Sequence, residues 1–239
     1  MEQPVILHIE TATDICSVAI SQGERRASLV ESGPERSHAT LLNSLIRQAL
    51  AESGSEFSGI DAVAVSKGPG SYTGLRIGVS TAKGISYALK IPLLATGTLE
   101  NMAHGALSNP DIGKSLRQHG KHLLLCPMLD ARRMEVYSCF FSKDMEIRRE
   151  VSADIVGEDS FRELLDSNHI CFFGNGAVKC KEVIHHPHAY FIEGIEPSAA
   201  HMIGPVLERY RLHQFEDTAY FEPFYLKDFI ATIPRKKVL

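Results

Sequence analysis

Apolar and polar positions change period several times along this chain. Val5 to Glu10 is a mostly apolar run closed by an acid, and the polar turn Thr11-Ala12-Thr13-Asp14 separates it from a second run, Cys16 to Ser21. Gln22-Gly23-Glu24 turns the chain again into Ala27 to Glu31. Short apolar segments joined by tight turns predict an antiparallel three-stranded meander. The period then lengthens. Leu41, Leu42, Leu45, Ile46, Ala49 and Leu50 recur at i, i+1, i+4, i+5, i+8 and i+9, the stripe of a helix over about Ala39 to Ser53. Ser37 falls in its N-cap region and Gly54 at its stop. Ala62 to Val65 reads as a buried strand. The stretch KGPGSYTGLRIG, residues 67–78, leads into a helix over about Thr73 to Leu89. Pro92 opens a strand at Leu93 to Thr96, and Thr98 to Leu107 reads as a short helix.

The second half starts the pattern again. Leu123 to Asp130 is a strand, and Glu135 to Ser142 pairs with it. With Glu10 set on Asp130, IETATDICSVAI lies over LDARRMEVYSCF: an acid ends one strand, a polar turn follows, and a second strand begins at the same offset. A helix near Asp159 to Asn168, a strand at Ile170 to Phe173, a helix near Ala177 to Ile184, a strand at Tyr190 to Ile192 and a helix at Pro197 to Gln214 complete the half. A repeat of this length predicts a duplicated α/β unit, with lobes at 1–107 and 121–239. Ser108 to Lys121, polar and containing Gly113 and Gly120, reads as the linker. Two lobes that each open with a β-β-β meander resemble the actin, sugar kinase and Hsp70 class of ATPase fold, in which the hairpin turns face a nucleotide between the lobes.

Composition narrows the function classes. The formal net charge is −4, with no basic excess of the kind that grips nucleic acid unaided. The basic tail Arg235, Lys236, Lys237 reads as a solvated terminus. Five cysteines without a CxxC pair, several inside apolar runs, read as reduced core thiols. The sequence shows neither a leader-like N-terminus nor an apolar run of the ~18–20 residues a membrane span requires, so a soluble, cytoplasmic protein is expected.

The glycine loop is the richest candidate for chemistry. It is not a P-loop, since no GxxxxGK[ST] occurs. As a dinucleotide fingerprint it begins well with Gly68 and Gly70, but Gly74 comes one residue late and Pro69 removes an amide. Gly74, Gly78 and Ala82 also form a ridge of small residues on the helix. Glycine inside a helix costs about 0.5–1 kcal/mol, so Gly74, Gly78 and Gly84 need a compensating reason. Close packing and anion binding both supply one. His185-His186-Pro187-His188 invites a metal, but no cysteine or carboxylate stands at ligand spacing in that loop, and a surface turn is the simpler reading. Glu10 and Asp130 stand where kinase-like relatives handle Mg²⁺ and phosphate; turn capping is the plainer role. No GxSxG elbow supports a serine hydrolase.

GPGSYTGLRIGVSTAKGISYAL resembles the signature of the TsaB family, whose members take part in making N6-threonylcarbamoyladenosine on tRNA. ILHIETATDICSVAI, SHATLLNSLIRQAL, IPLLATGTLENMA, LDARRMEVY and YLKDF continue the likeness in order; residues 143–220 match weakly. The resemblance implies a non-catalytic partner of TsaD, the transferase acting at adenosine 37 of tRNAs that read codons beginning with A, together with the small ATPase TsaE. TsaD holds a metal through two histidines four apart; laid on this chain, those positions fall on Thr98 and Met102, neither able to replace an imidazole. The family reading therefore implies no catalytic residue and no metal here. It implies no tightly bound cofactor, with ATP or ADP entering only in the complex, and contact with tRNA only through the complex. It leaves Glu10, Gly68, Gly70 and Asp130 as vestiges of a nucleotide-facing surface. The first two helices are implied to dock on TsaD, or on a second copy in a homodimer. Leu41, Leu42, Leu45, Ile46 and Ala49, with Gly74, Leu75, Gly78, Val79 and Ala82, are the residues expected to do so. The competing expectation is a small stand-alone enzyme of the same fold class, a kinase or metallohydrolase.

Overall fold

The computed structural model describes residues 3–33 and 38–227. Ser37 and the basic tail lie outside the described residues. The chain forms two five-stranded mixed sheets of matching topology. In the first, β1 (Val5–Glu10), β2 (Ser17–Gln22) and β3 (Arg25–Glu31) make the antiparallel meander, and β4 (Ala62–Ser66) and β5 (Leu93–Thr96) add parallel to β1, in the order β3-β2-β1-β4-β5. The second has β6 (Leu123–Asp130), β7 (Glu135–Ser142), β8 (Ile147–Ile155), β9 (His169–Phe173) and β10 (Ala189–Ile192), ordered β10-β9-β6-β7-β8. Read from its other edge that is the same order, so the duplicated α/β fold inferred from the sequence is the fold observed.

In each lobe a helix joins strands three and four and another joins strands four and five. These are α1 (His38–Ser53) and α2 (Tyr72–Leu89) in the first lobe. The short α5 (Arg162–Ser167) and α6 (Ala177–Cys180) take their places in the second. Helices α1 and α2 share one face of the first sheet, where Leu42, Ile46, Ala49, Val79 and Ala82 pack on Leu7, Ile9, Val63 and Val65. Strand alternation sends Ile6, Ala62, Ala64 and Leu94 to the opposite face.

That opposite face is covered from the far end of the chain. Ala199 and Met202 of a 3₁₀ turn, and Val206 and Leu207 of α7 (Ile203–Arg211), fill it. In return α3 (Thr98–Ala106) sends Leu99, Met102, Ala103 and Ala106 into the core of the second sheet, beside Leu123, Leu125 and Leu129. The halves exchange their last helices, so the packing units do not follow a division at residue 107. The expected linker is also a helix, α4 (Pro110–His119). Asn109 caps it by accepting from the Asp111 and Ile112 amides, Pro110 begins it, Gly120 at positive φ ends it, and Ile112 is buried.

After α7 the chain returns as a strap over the lobe junction. The Glu216 amide donates to the Leu93 carbonyl at 2.8 Å. Lys83 Nζ donates to the carbonyls of Ala219 (3.2 Å) and Phe221 (2.8 Å), and the Phe224 amide to that of Lys67 (2.7 Å). The Tyr225 ring lies 4.9 Å from that of Tyr72, and Lys227 pairs with Glu135 on the second sheet. Among the described residues no helix is long and apolar enough to cross a membrane.

Candidate functional site

The glycine loop clamps the β1–β2 turn. The Ser71 amide donates to the Ala12 carbonyl at 2.7 Å, and the Ser71 side chain caps α2 by accepting from the Gly74 amide. A Cβ on Gly70 would overlap Ala12, one on Gly74 the Thr11 carbonyl, and one on Gly78 the Thr11 hydroxyl. Gly68 takes φ +114° with the Phe224 carbonyl 2.7 Å from where its Cβ would stand. The small-residue ridge thus brings the chain's own backbone together, which resolves the two readings of this loop in favour of close packing.

Glu10 is fully buried under that turn. Strand register places it beside Ser17 of β2 and next to Ser66 of β4, which in turn neighbours Thr96 of β5; Ser17 itself neighbours Glu31. A polar row therefore crosses all five strands. Ser17 Oγ donates to Glu31 Oε1 at 2.8 Å and accepts from the Ala199 amide at 2.9 Å, and Ser66 and Thr98 share a 2.7 Å hydrogen bond. Glu10 Oε1 accepts from the Ala12 amide at 2.8 Å, while its Oε2 has no hydrogen-bond partner among the described residues. Burial pushes the carboxyl up to about 7, opposed by the Ala12 amide and by Ser66 and Asn101. Asn101 lies close enough to act on the charge, but neither of its side-chain polar atoms completes a hydrogen bond. The sequence signal for this row was present: a polar residue closes each of β1, β4 and β5.

Asp130, the equivalent acid in the second lobe, is engaged by its own lobe. It accepts from the Arg132 amide at 2.7 Å and from Lys179 Nζ at 2.5 Å, and Lys179 also donates to the carbonyls of Arg133 and Glu135. Burial acts to raise the Asp130 pKa, but the Lys179 hydrogen bond, the Arg132 amide and the Lys179 charge outweigh it and hold the carboxyl below its ordinary value.

Thr98 and Met102 are both core residues. The Thr98 hydroxyl is bound to Ser66, and the Met102 methyl reaches to 2.5 Å from where a Gly174 Cβ would stand. Around the histidine loop the structure shows more than a surface turn. His188 Nδ1 meets the Leu165 carbonyl at 2.8 Å, and its ring lies 4.2 Å from that of His169, which stacks on His119 at 3.6 Å. Those partners come from α4 and β9, too distant in sequence to be paired by eye. Among the described residues no group of three or more His, Cys, Asp or Glu is arranged to hold a metal. All five cysteines are buried and free.

The expected docking residues need correction. Leu42, Leu45, Ile46, Ala49, Gly74, Leu75, Gly78, Val79 and Ala82 are all buried on the chain's own sheet or under Thr11, and only Leu41 is partly exposed. The apolar stripe was read correctly as a stripe, but it faces inward. What α1 and α2 turn outward is Ser44, Arg47 and Gln48 on α1 and Thr73, Arg76, Ser80, Gly84 and Tyr87 on α2, with Ile77 half-buried between. Nothing lies within 4 Å of a Cβ built on Gly84, so no contact within the described chain compensates this mid-helix glycine.

A family model described as TsaD, tRNA N6-adenosine threonylcarbamoyltransferase, matches residues 32–234. The TsaB protein of Escherichia coli K12 is 34% identical over 139 residues, 58% of this chain and 55% of that protein. The TsaB protein of Haemophilus influenzae is 30% identical over 171 residues, 72% of this chain and 65% of that protein. The chain thus spans roughly half to two thirds of these curated relatives. A Pseudomonas aeruginosa crystal structure, of an uncharacterized protein with similarity to the peptidase YeaZ, superimposes with a TM-score of 0.78 at 24% identity, covering 94% of this chain and all of that one; it shows the fold. With the family model covering residues 32–234, the chain belongs to the TsaD family, and the curated relatives compared with it above are TsaB proteins.

Proposed function

We propose that this chain is a non-catalytic subunit of the assembly that forms N6-threonylcarbamoyladenosine at position 37 of tRNAs reading codons beginning with A. In this reading it supports TsaD, with TsaE as third component, in the cytoplasm. One observation carries it. The resemblance lays the metal-binding histidines of TsaD on Thr98 and Met102, and both of these side chains are built into the core. Glu10 and Asp130 point the same way, one closed off under the hairpin turn and the other neutralised by Lys179. The chain by itself then has no tight nucleotide site, and ATP or ADP enters with the complex.

The docking surface in this reading is the outer face of α1 and α2. Two adjacent helices can supply the roughly 800 Å² per partner of a standard interface. The outward ridge of Thr73, Ser80 and Gly84 allows close approach by another helix, and the same face can pair with itself in a two-fold homodimer. The test is reconstitution of tRNA modification from TsaD, TsaE, threonylcarbamoyl-adenylate and tRNA, with and without this chain. Stimulation by the chain, co-purification with TsaD, and at least tenfold weaker binding by a folded Gly84→Arg variant are expected, a loss of about 1.4 kcal/mol. Turnover by the isolated chain, or full modification without it, would overturn the proposal.

A further inference from the structure

A cavity of about 420 Å³ lies at the junction of the two lobes, away from the β1–β2 and β6–β7 turns. Gly68 reaches its wall, but Glu10, Gly70 and Asp130 do not. It is assembled from parts distant in sequence: the loop after β4, the start of α3, strands β7 and β8, α7, and the C-terminal strap. Its volume falls in the ~300–1,000 Å³ range of small-molecule sites. Leu99, Phe141, Met145, Val151 and Phe224 give it an apolar lining.

The charged side chains in the wall differ in how they are satisfied. Arg209 and Glu100 neutralise each other, with Arg209 Nη2 at 2.8 and 3.0 Å from the two carboxylate oxygens. Glu150 is exposed and solvated. Lys67 is half-buried, and its ammonium makes no ion pair or hydrogen bond with any described residue. A partly buried cation with no counter-ion among the described residues, beside an apolar hollow, is the element most in want of a partner.

We propose that this cavity is a binding site for a small amphipathic monoanion, an aromatic or aliphatic carboxylate or sulfonate. Its apolar body rests on Leu99, Phe141 and Val151, and its anionic group meets Lys67. Such a ligand would touch both lobes and the strap at once. The inference is independent of the tRNA-modification reading.

The probes are 8-anilinonaphthalene-1-sulfonate, an anion, and N-phenyl-1-naphthylamine, its neutral counterpart, followed by fluorescence on the whole chain with decanoate as competitor. Saturable one-site binding of both probes, displaced by decanoate, is expected. Lys67→Met should weaken the sulfonate about tenfold and leave the neutral probe unchanged. Val151→Trp should abolish both by filling the hollow; Ile147→Trp, at the exposed lip, does the same job if the first variant fails to fold by circular dichroism. Lys114→Met, on the surface of α4, should change nothing. The proposal falls if the wild-type chain binds neither probe, if the filled variants bind as the wild type does, or if Lys67→Met loses no preference for the anion.

Discussion

Gly74 and Gly84 sit in the same helix, and the structure assigns opposite signs to the same substitution at each. Replacing an interior helical glycine by alanine gains about 1 kcal/mol from helix propensity alone. At Gly84 nothing stands within 4 Å of the new methyl, so the gain is realised in full. In a chain of this size that raises Tm by about 2–4 °C. At Gly74 the new methyl meets the Thr11 carbonyl oxygen, with His38 Cδ2 only 3.2 Å away. Overpacking costs about 1–3 kcal/mol, and a backbone atom in a tight turn cannot swing aside as a side chain can, so the upper end applies. The net is a loss of about 2 kcal/mol and a Tm lower by about 4–8 °C. Thermal melts of the two variants, followed by circular dichroism or calorimetry, measure both. A Gly74→Ala protein as stable as the wild type would refute the claim that the ridge is spent inside the chain. The same logic bears on binding. Leu42→Glu would bury a carboxylate on the sheet and unfold the lobe before it reported on any partner, whereas Gly84→Arg changes only the outward face.

Glu10, raised by burial from 4.5 to about 7, makes the native state bind more protons than the unfolded chain between those values, so stability falls by about 3 kcal/mol as pH rises through that window. His8, held down by burial from 6.5 to about 3, acts with the opposite sign, its stability present above 6.5 and lost as pH falls toward 3. Where the windows overlap the slopes cancel, so in denaturant titrations at several pH values Glu10→Gln should uncover a stability that rises between pH 4.5 and 6.5; profiles parallel to the wild type would contradict this. Lys179→Met should let the Asp130 pKa rise toward its ordinary value in an NMR titration, and an unmoved pKa would show that the Arg132 amide alone sets it. Lys83→Met removes both carbonyl contacts to the strap and should speed proteolytic cleavage near Ala219 to Phe221; unchanged cleavage would mean that the remaining contacts hold it.

Much of the fold was legible because each lobe keeps a clean alternation of period. The strands of the first sheet and helices α1 to α3 lie within a residue or two of their expected bounds. The third strand of the second meander was expected but could not be given bounds, because β8, Ile147–Ile155, is an edge strand with no buried residue and its sequence IRREVSADI lacks the apolar signature of a core strand. The linker was misread because composition outweighed a start signal, Asn109-Pro110, and a stop, Gly120. The exchange of α3 and α7 between sheets was beyond reach for another reason. An apolar stripe announces that a helix is buried, but not which sheet receives it. The docking stripe failed on the same point: the burial of Leu42, Ile46 and Val79 was legible, and its direction was not.

The two hairpin acids show what duplication left behind. Glu10 and Asp130 end equivalent strands, and each accepts the amide two residues on, Ala12 in one lobe and Arg132 in the other. That shared bond is what any acid at this turn would make. Their surroundings then diverge. Around Glu10 the glycine ridge lets α2 press against Thr11 and seals the carboxylate under the turn, so burial raises its pKa from 4.5 to about 7. Around Asp130 the counterpart helix α6 is a single turn, leaves the acid partly open, and brings Lys179 to it, so the charge is kept and neutralised. A phosphate-handling pair needs two carboxylates that are ionised, exposed and free to hold a cation between them. Here one is not exposed and the other is not free. In both lobes, then, the hairpin carboxylate serves the frame of its own lobe, as a buried group in one and as a lysine's counter-ion in the other.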